Sequence, residues 1–105
     1  MKVDVNVVLK TIDGKDLKDN DGKGNMVNAT MKTAIVNAIL SPTQKETGAD
    51  KVKKYELAKK VYSTTEAELC ELSAEEIALI KERVGEVYPP LVTGQVFNLL
   101  EQKET

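Results

Sequence analysis

The residues of this chain that could do chemistry are few and poorly gathered. Asp19, Asp21 and Gly24 open the stretch D-N-D-G-K-G-N-M-V-N-A-T with the spacing of a calcium-binding EF-hand loop. Asp19 and Asp21 stand at positions 1 and 3 and Gly24 at position 6, but Lys23 takes a liganding position and Thr30 stands where a bidentate Glu belongs. The stretch reads as a solvated turn, and neither a metal nor a cofactor is expected. The chain contains no His, which removes nucleophilic triads and His-zinc hydrolysis. Cys70 has no imidazole or nearby cation in the sequence and stands beside Glu68 and Glu71, a setting that does not activate a thiol. The glycines Gly14, Gly22 and Gly24 match neither nucleotide-binding spacing. Carboxylates remain, but they fall on turns or on one helix's outward face, with no desolvated cleft to tune them. The chain is not expected to be an enzyme.

Lys51, Lys53, Lys54, Lys59 and Lys60 raise the question of nucleic acid. They are spread around one helix instead of forming a stripe, and no Arg stands among them for bidentate base reading. A net charge of -2 also argues against affinity built on phosphate neutralisation. The lysines have a nearer use, as a field complementary to the acidic residues between Glu66 and Glu86, each exposed pair contributing about 0.2 to 1 kcal/mol.

The elements that must position these residues follow from patterning. At 105 residues, 41% apolar and 30% charged, the chain has the size and composition of a single folded domain. A lone cysteine suits an intracellular protein, and the N-terminus reads neither as a signal peptide nor as a membrane segment, so a cytoplasmic location is expected. Val3, Val5, Val7 and Leu9 alternate with Lys2, Asp4, Asn6 and Lys10, with Val8 outside, which predicts a strand buried on one face. The Asp13-Gly14 and Asp21-Gly22 turn signals predict a hairpin or short meander, pairing within 15–18 and 24–27 and carrying a solvated tip.

Four helices follow. The first carries Met31, Ala34, Ile35, Ala38 and Ile39 on one face and Val36 and Leu40 on another; it is capped by Asn28 or Thr30 and ended by Ser41-Pro42. The second runs from an Asp50 cap to Tyr62, with Tyr55, Ala58, Val61 and Tyr62 along one side. Residues 63–72 form a linker whose Glu68-Leu69-Cys70 is either extended or a single helical turn. The Leu72 to Tyr88 stretch is the best-specified element, and the rest is expected to pack against it. Ser73 and Glu76 have capping-box spacing, Ile77, Ile80, Val84, Val87 and Tyr88 share a face, and Glu75, Glu82, Arg83 and Glu86 turn away. Pro90 opens a final helix with Val92, Val96, Leu99 and Leu100 inward and Phe97 beside them. The expectation is an α+β domain over 1–105, a β-hairpin part in 1–27 followed by a small four-helix bundle in 28–101.

Three stretches, V-D-V-N-V-V-L-K-T-I-D-G-K-D-L, K-V-K-K-Y-E-L-A-K-K-V-Y and L-S-A-E-E-I-A-L-I-K-E-R-V-G-E-V-Y-P-P-L-V-T-G-Q-V-F-N-L-L-E, span most of the chain. In layout it resembles a family of small proteins encoded by bacteriophages and prophages. That resemblance implies a bacterial cytoplasm and an accessory role exercised by binding a host or phage protein; it assigns no functional residue. From the residues themselves, Leu79 is the misfit, an apolar side chain among Glu82, Arg83 and Glu86 on the polar side of its helix. Leu79, Glu82, Arg83 and Glu86 are therefore the candidate interface, for a protein partner or for self-association. The rival reading is a DNA-binding regulator using the helical half.

Overall fold

The structure is a computed structural model that describes residues 1–20 and 22–101. Its N-terminal segment buries Val3, Val5 and Leu9, as the alternation requires, yet only Lys2–Val3 (β1) forms a ladder. Beyond Val3 the backbone has another use. The carbonyls of Val5 and Val7 accept from Lys32 N–H (2.7 Å) and Met31 N–H (2.9 Å), the first free donors of the helix Met31–Leu40 (α1). Thr30 caps that helix through Thr33, and two further donors that a helix leaves unpaired at its start are taken up by a segment some 25 residues earlier in the chain. The predicted long strand is thus a short one, ended by a turn at Val5 and Asn6 where Asn6 N–H donates to the Asp4 carboxylate, and followed by a segment that caps a helix.

The hairpin forms from Lys18–Asn20 (β2) and Met26–Asn28 (β3), antiparallel, with Lys18 opposite Asn28 and Asn20 opposite Met26. This register lies further along the chain than the expected 15–18 with 24–27, because Thr11 and Lys15 already close a turn between them over Gly14, whose φ is 88°. Asp21 lies outside the described residues. At the hairpin root, Leu9 N–H donates to Ala29, Ala29 N–H to Leu17, and Leu17 N–H to Leu9, each at 2.8 Å. This closed ring of three bonds ties the hairpin to the N-terminal segment.

Gly48–Tyr62 (α2) begins at Thr47 and not at Asp50: Thr47 is the cap and Asp50 its reciprocal partner three residues on. Its buried residues are Leu57, Ala58 and Val61, while Tyr55 and Tyr62 are 57% and 68% exposed, a correction to the tyrosine-lined face. On the same helix the Lys54 ammonium pairs with Glu46 in the preceding loop. The linker resolves as an extended piece, Cys70–Glu71 (β4), antiparallel to β1 with Val3 opposite Cys70.

Ala74–Val87 (α3) opens on the expected Ser73–Glu76 capping box, and Pro90–Glu101 (α4) starts at Pro90 as expected. The result is an α+β fold, an N-terminal β region and four helices. The centre, however, is α1, which packs on both α2 and α3, while α4 packs on α3. Met31, Ala34, Ile35, Ala38 and Ile39 are all buried; Leu40, expected on a second buried face, is 55% exposed. Gln95 of α4 holds the N-terminal segment by accepting from Lys10 N–H and donating to Lys10 C=O, both at 2.7 Å, in the manner of a neighbouring strand.

Candidate functional site

The outward side of α3 is not arranged as its helical wheel implies. Arg83, expected among the solvent-facing charges, is 3% exposed. Its Nε donates to the Ala38 carbonyl (3.4 Å), its Nη2 to the Ser41 carbonyl (3.5 Å), and its Nη1 pairs with Glu86 at 2.6 Å. A cation has been placed at the C-terminal end of α1, where the helix dipole is negative and the Ala38 carbonyl, which also accepts from Ser41 N–H, has a second lone pair to offer. Arg83 is therefore a joint between α3 and α1, and Glu86 is its counter-ion at the surface.

Leu79 is half-buried, packed at the edge of the core. It is not covered by α4. It lies between α3 and α2, two helices that both rest on α1 and barely touch each other. At one end they are joined by Lys60 and Glu76, 2.9 Å apart. Glu76 also accepts from Ser73 N–H at 2.8 Å. Burial alone would raise its pKa, but the Ser73 N–H and the Lys60 ammonium outweigh it and hold the carboxyl below its ordinary value. Between the two helices lies a groove of about 550 Å³, lined by Val52, Leu57 and Leu79 together with charged residues. A smaller groove continues past Leu79 beneath the 43–46 loop, with Lys53 on one side and Glu82 on the other.

The structure thus brings Leu79 and Glu82 together and sets them opposite α2, while withdrawing Arg83 into the interior. Val52, Lys53 and Leu57 complete the surface; of these the sequence singled out only Lys53, and for nucleic acid. The available signal was Val52, an apolar residue flanked by Lys51, Lys53 and Lys54 just as Leu79 is flanked by charges. It is 60% exposed.

The chemistry-bearing residues are engaged elsewhere. The Thr11 hydroxyl holds the Asp13 carboxyl below its ordinary range, and the Lys10 ammonium does the same for Asp16. Glu46 is lowered by hydrogen bonds from Lys54 and Thr43, and Glu68 by those from Thr65. Cys70 is buried in the core. Among the described residues no three His, Cys, Asp or Glu side chains converge on a metal position, and no helix is long and apolar enough to cross a membrane. Calcium titrated into the protein is expected to bind to the 13–25 turn no tighter than about millimolar, because the loop's required ligands are wrongly filled. A submicromolar calorimetric isotherm would reverse that assignment. Comparison with protein-family models, with curated proteins and with solved structures finds no match to this chain.

Proposed function

We propose that this chain is a small non-enzymatic interaction module, a phage or prophage accessory factor that works in the bacterial cytoplasm by binding a protein. The observation that carries this reading is the groove between α2 and α3, where Val52, Leu57 and Leu79 form an apolar lining beside charged residues. An apolar centre with a polar border is the composition of a protein contact site. The phage context rests on the resemblance in layout alone.

The rival is DNA binding through the helical half. Two of the five lysines on α2 are already committed, Lys54 to Glu46 and Lys60 to Glu76. The sole arginine of the chain is the buried Arg83, so the residue best suited to reading guanine edges does not reach the surface.

The test uses Val52→Lys and Leu79→Lys. Val52 is exposed, so its substitution is expected to leave the melting temperature unchanged and to abolish protein binding measured by crosslinking and affinity capture in a bacterial host extract. Leu79→Lys is expected to abolish binding as well, with some loss of stability. Binding that survives Val52→Lys rejects the groove. Binding to duplex DNA that falls steeply with salt, as counterion release demands, favours the rival.

A further inference from the structure

We propose that the exposed seam between α1 and α2 is a docking site for an acidic amphipathic helix of another protein. The seam is a second surface, distinct from the α2–α3 groove, and stands or falls separately from it. Lys32 near the start of α1 places its ammonium 6.0 Å from the centre of the Tyr62 ring at the end of α2. Leu40 at the other end of α1 shares a cleft with Lys51 and Tyr55 in the first half of α2. The two helices therefore run antiparallel, and each presents one row to the seam. On α1 the row is Lys32, Val36 and Leu40, four residues apart. On α2 it is Lys51, Tyr55, Lys59 and Tyr62, at successive spacings of four, four and three that keep a single stripe. Leu40, Tyr55 and Tyr62 are each more than half exposed. One exposed apolar residue is ordinary, but a row of them along a seam between helices marks a contact site.

The charge on the seam selects the partner. Residues 31–62, which hold both helices, contain seven lysines and three carboxylates, a net +4 that leaves -6 for the rest of a chain whose total is -2. None of the three carboxylates offers free negative charge to the seam. Glu46, at the Leu40 end, is paired with Lys54. Asp50 and Glu56 line the grooves on the α3 side of α2. Lys51 and Lys59 are exposed, and among the described residues neither forms an ion pair. Lysines set between apolar side chains suit a ligand that brings carboxylates set between apolar anchors, and an amphipathic helix does so with the period of the seam itself. The ten residues of α1 give a seam of about 15 Å, close to three helical turns. Apolar anchors of the ligand then lie on Val36, Leu40 and the two tyrosines, and its flanking carboxylates meet Lys51 and Lys59. A nucleic-acid strand is served less well. Lys32 already donates to the Thr64 carbonyl, which leaves two uncommitted ammonium groups for phosphates, and Val36 and Leu40 have no ring for a base to stack on.

The experiment uses the full-length chain and a fluorescein-labelled synthetic helix of about four turns, long enough to overhang the seam, with leucines along one face and glutamates elsewhere. The same peptide with lysines in place of the glutamates is the control. Fluorescence anisotropy is expected to show saturable binding of the acidic helix at micromolar concentration and none of the basic one. The double variant Lys51→Glu with Lys59→Glu, and Tyr55→Ala by itself, are each expected to weaken that binding about tenfold or more. All three residues are exposed, so melting temperatures should stay within a few degrees of wild type. Val52→Lys is expected not to weaken it, which separates the seam from the α2–α3 groove. Absence of saturable binding, equal binding of the two peptides, or binding indifferent to Tyr55→Ala removes the seam as a site and leaves the groove reading standing. Loss of the acidic helix on Val52→Lys moves it to the groove and overturns the seam. Binding of a labelled single-stranded oligothymidylate that is tighter than that of the acidic helix and is lost on Tyr55→Ala replaces the protein partner by nucleic acid.

Discussion

Ile80→Ala is expected to lower the free energy of unfolding by about 2 to 5 kcal/mol, the range for deleting buried methyl groups from a core that relaxes only in part. Ile80 has no solvent exposure and belongs to a core cluster drawn from the N-terminal segment and all four helices, with Ile35, Ile39, Val84 and Val96 buried in it as well. That loss would be a large share of the total stability of a domain this size. The comparison that makes the result informative is Leu40→Ala. Leu40 is an equally large aliphatic residue, but more than half of it faces solvent, so its truncation is expected to stay within about 0.5 kcal/mol. Denaturant midpoints for the two variants are the measurement. Equal midpoints would mean that α1 and α3 do not meet through the faces assigned to them.

The second large effect is expected at Arg83, where the sign depends on which substitution is made. Arg83→Glu places a carboxylate against the carbonyls of Ala38 and Ser41 and beside Glu86, in a pocket that excludes water. An uncompensated buried charge of this kind is expected to cost about 3 to 5 kcal/mol. Arg83→Met keeps the aliphatic stem that fills the space and removes the guanidinium together with its desolvation cost. Both carbonyl contacts are long and the Glu86 counter-ion is largely exposed, so this variant is expected to fall within about 1 kcal/mol of wild type. Thermal or urea unfolding distinguishes this arrangement from a solvent-facing arginine, for which both variants would be nearly silent. The same measurement guards the functional experiments. A loss of binding in Arg83→Glu would report a disrupted joint between α1 and α3 and not a contact made by Arg83.

What could be read from the sequence divides along the range of the interactions involved. The capping box at Ser73 and Glu76, the start of α4 at Pro90, the end of α1 at Ser41-Pro42 and the buried face of α1 depend on residues within one or two turns, and their spacing determined them. So did the inward alternation of Val3, Val5 and Leu9. Alternation, however, specifies which side chains turn inward and not which backbone groups pair. The carbonyls of Val5 and Val7 went to the N-terminus of α1, and β1 found its partner at Cys70–Glu71, pairings that only the folded chain can make. Thr47 was missed as a cap because its reciprocal partner is Asp50, whose own capping tendency points to a start three residues later.

For the candidate site, the sequence marks Leu79 as out of place, with Glu82, Arg83 and Glu86 beside it. A wheel measures direction from one helix axis and assumes that solvent lies opposite the core. At Arg83 that assumption fails, since the C-terminal carbonyls of α1 stand there and supply what water would have supplied to the guanidinium. Tertiary structure alone decided that α2 and α3 lie side by side on α1 without closing on each other. The pair of misfits, Val52 on one helix and Leu79 on the other, became a single apolar lining because α1 holds the two helices at that separation.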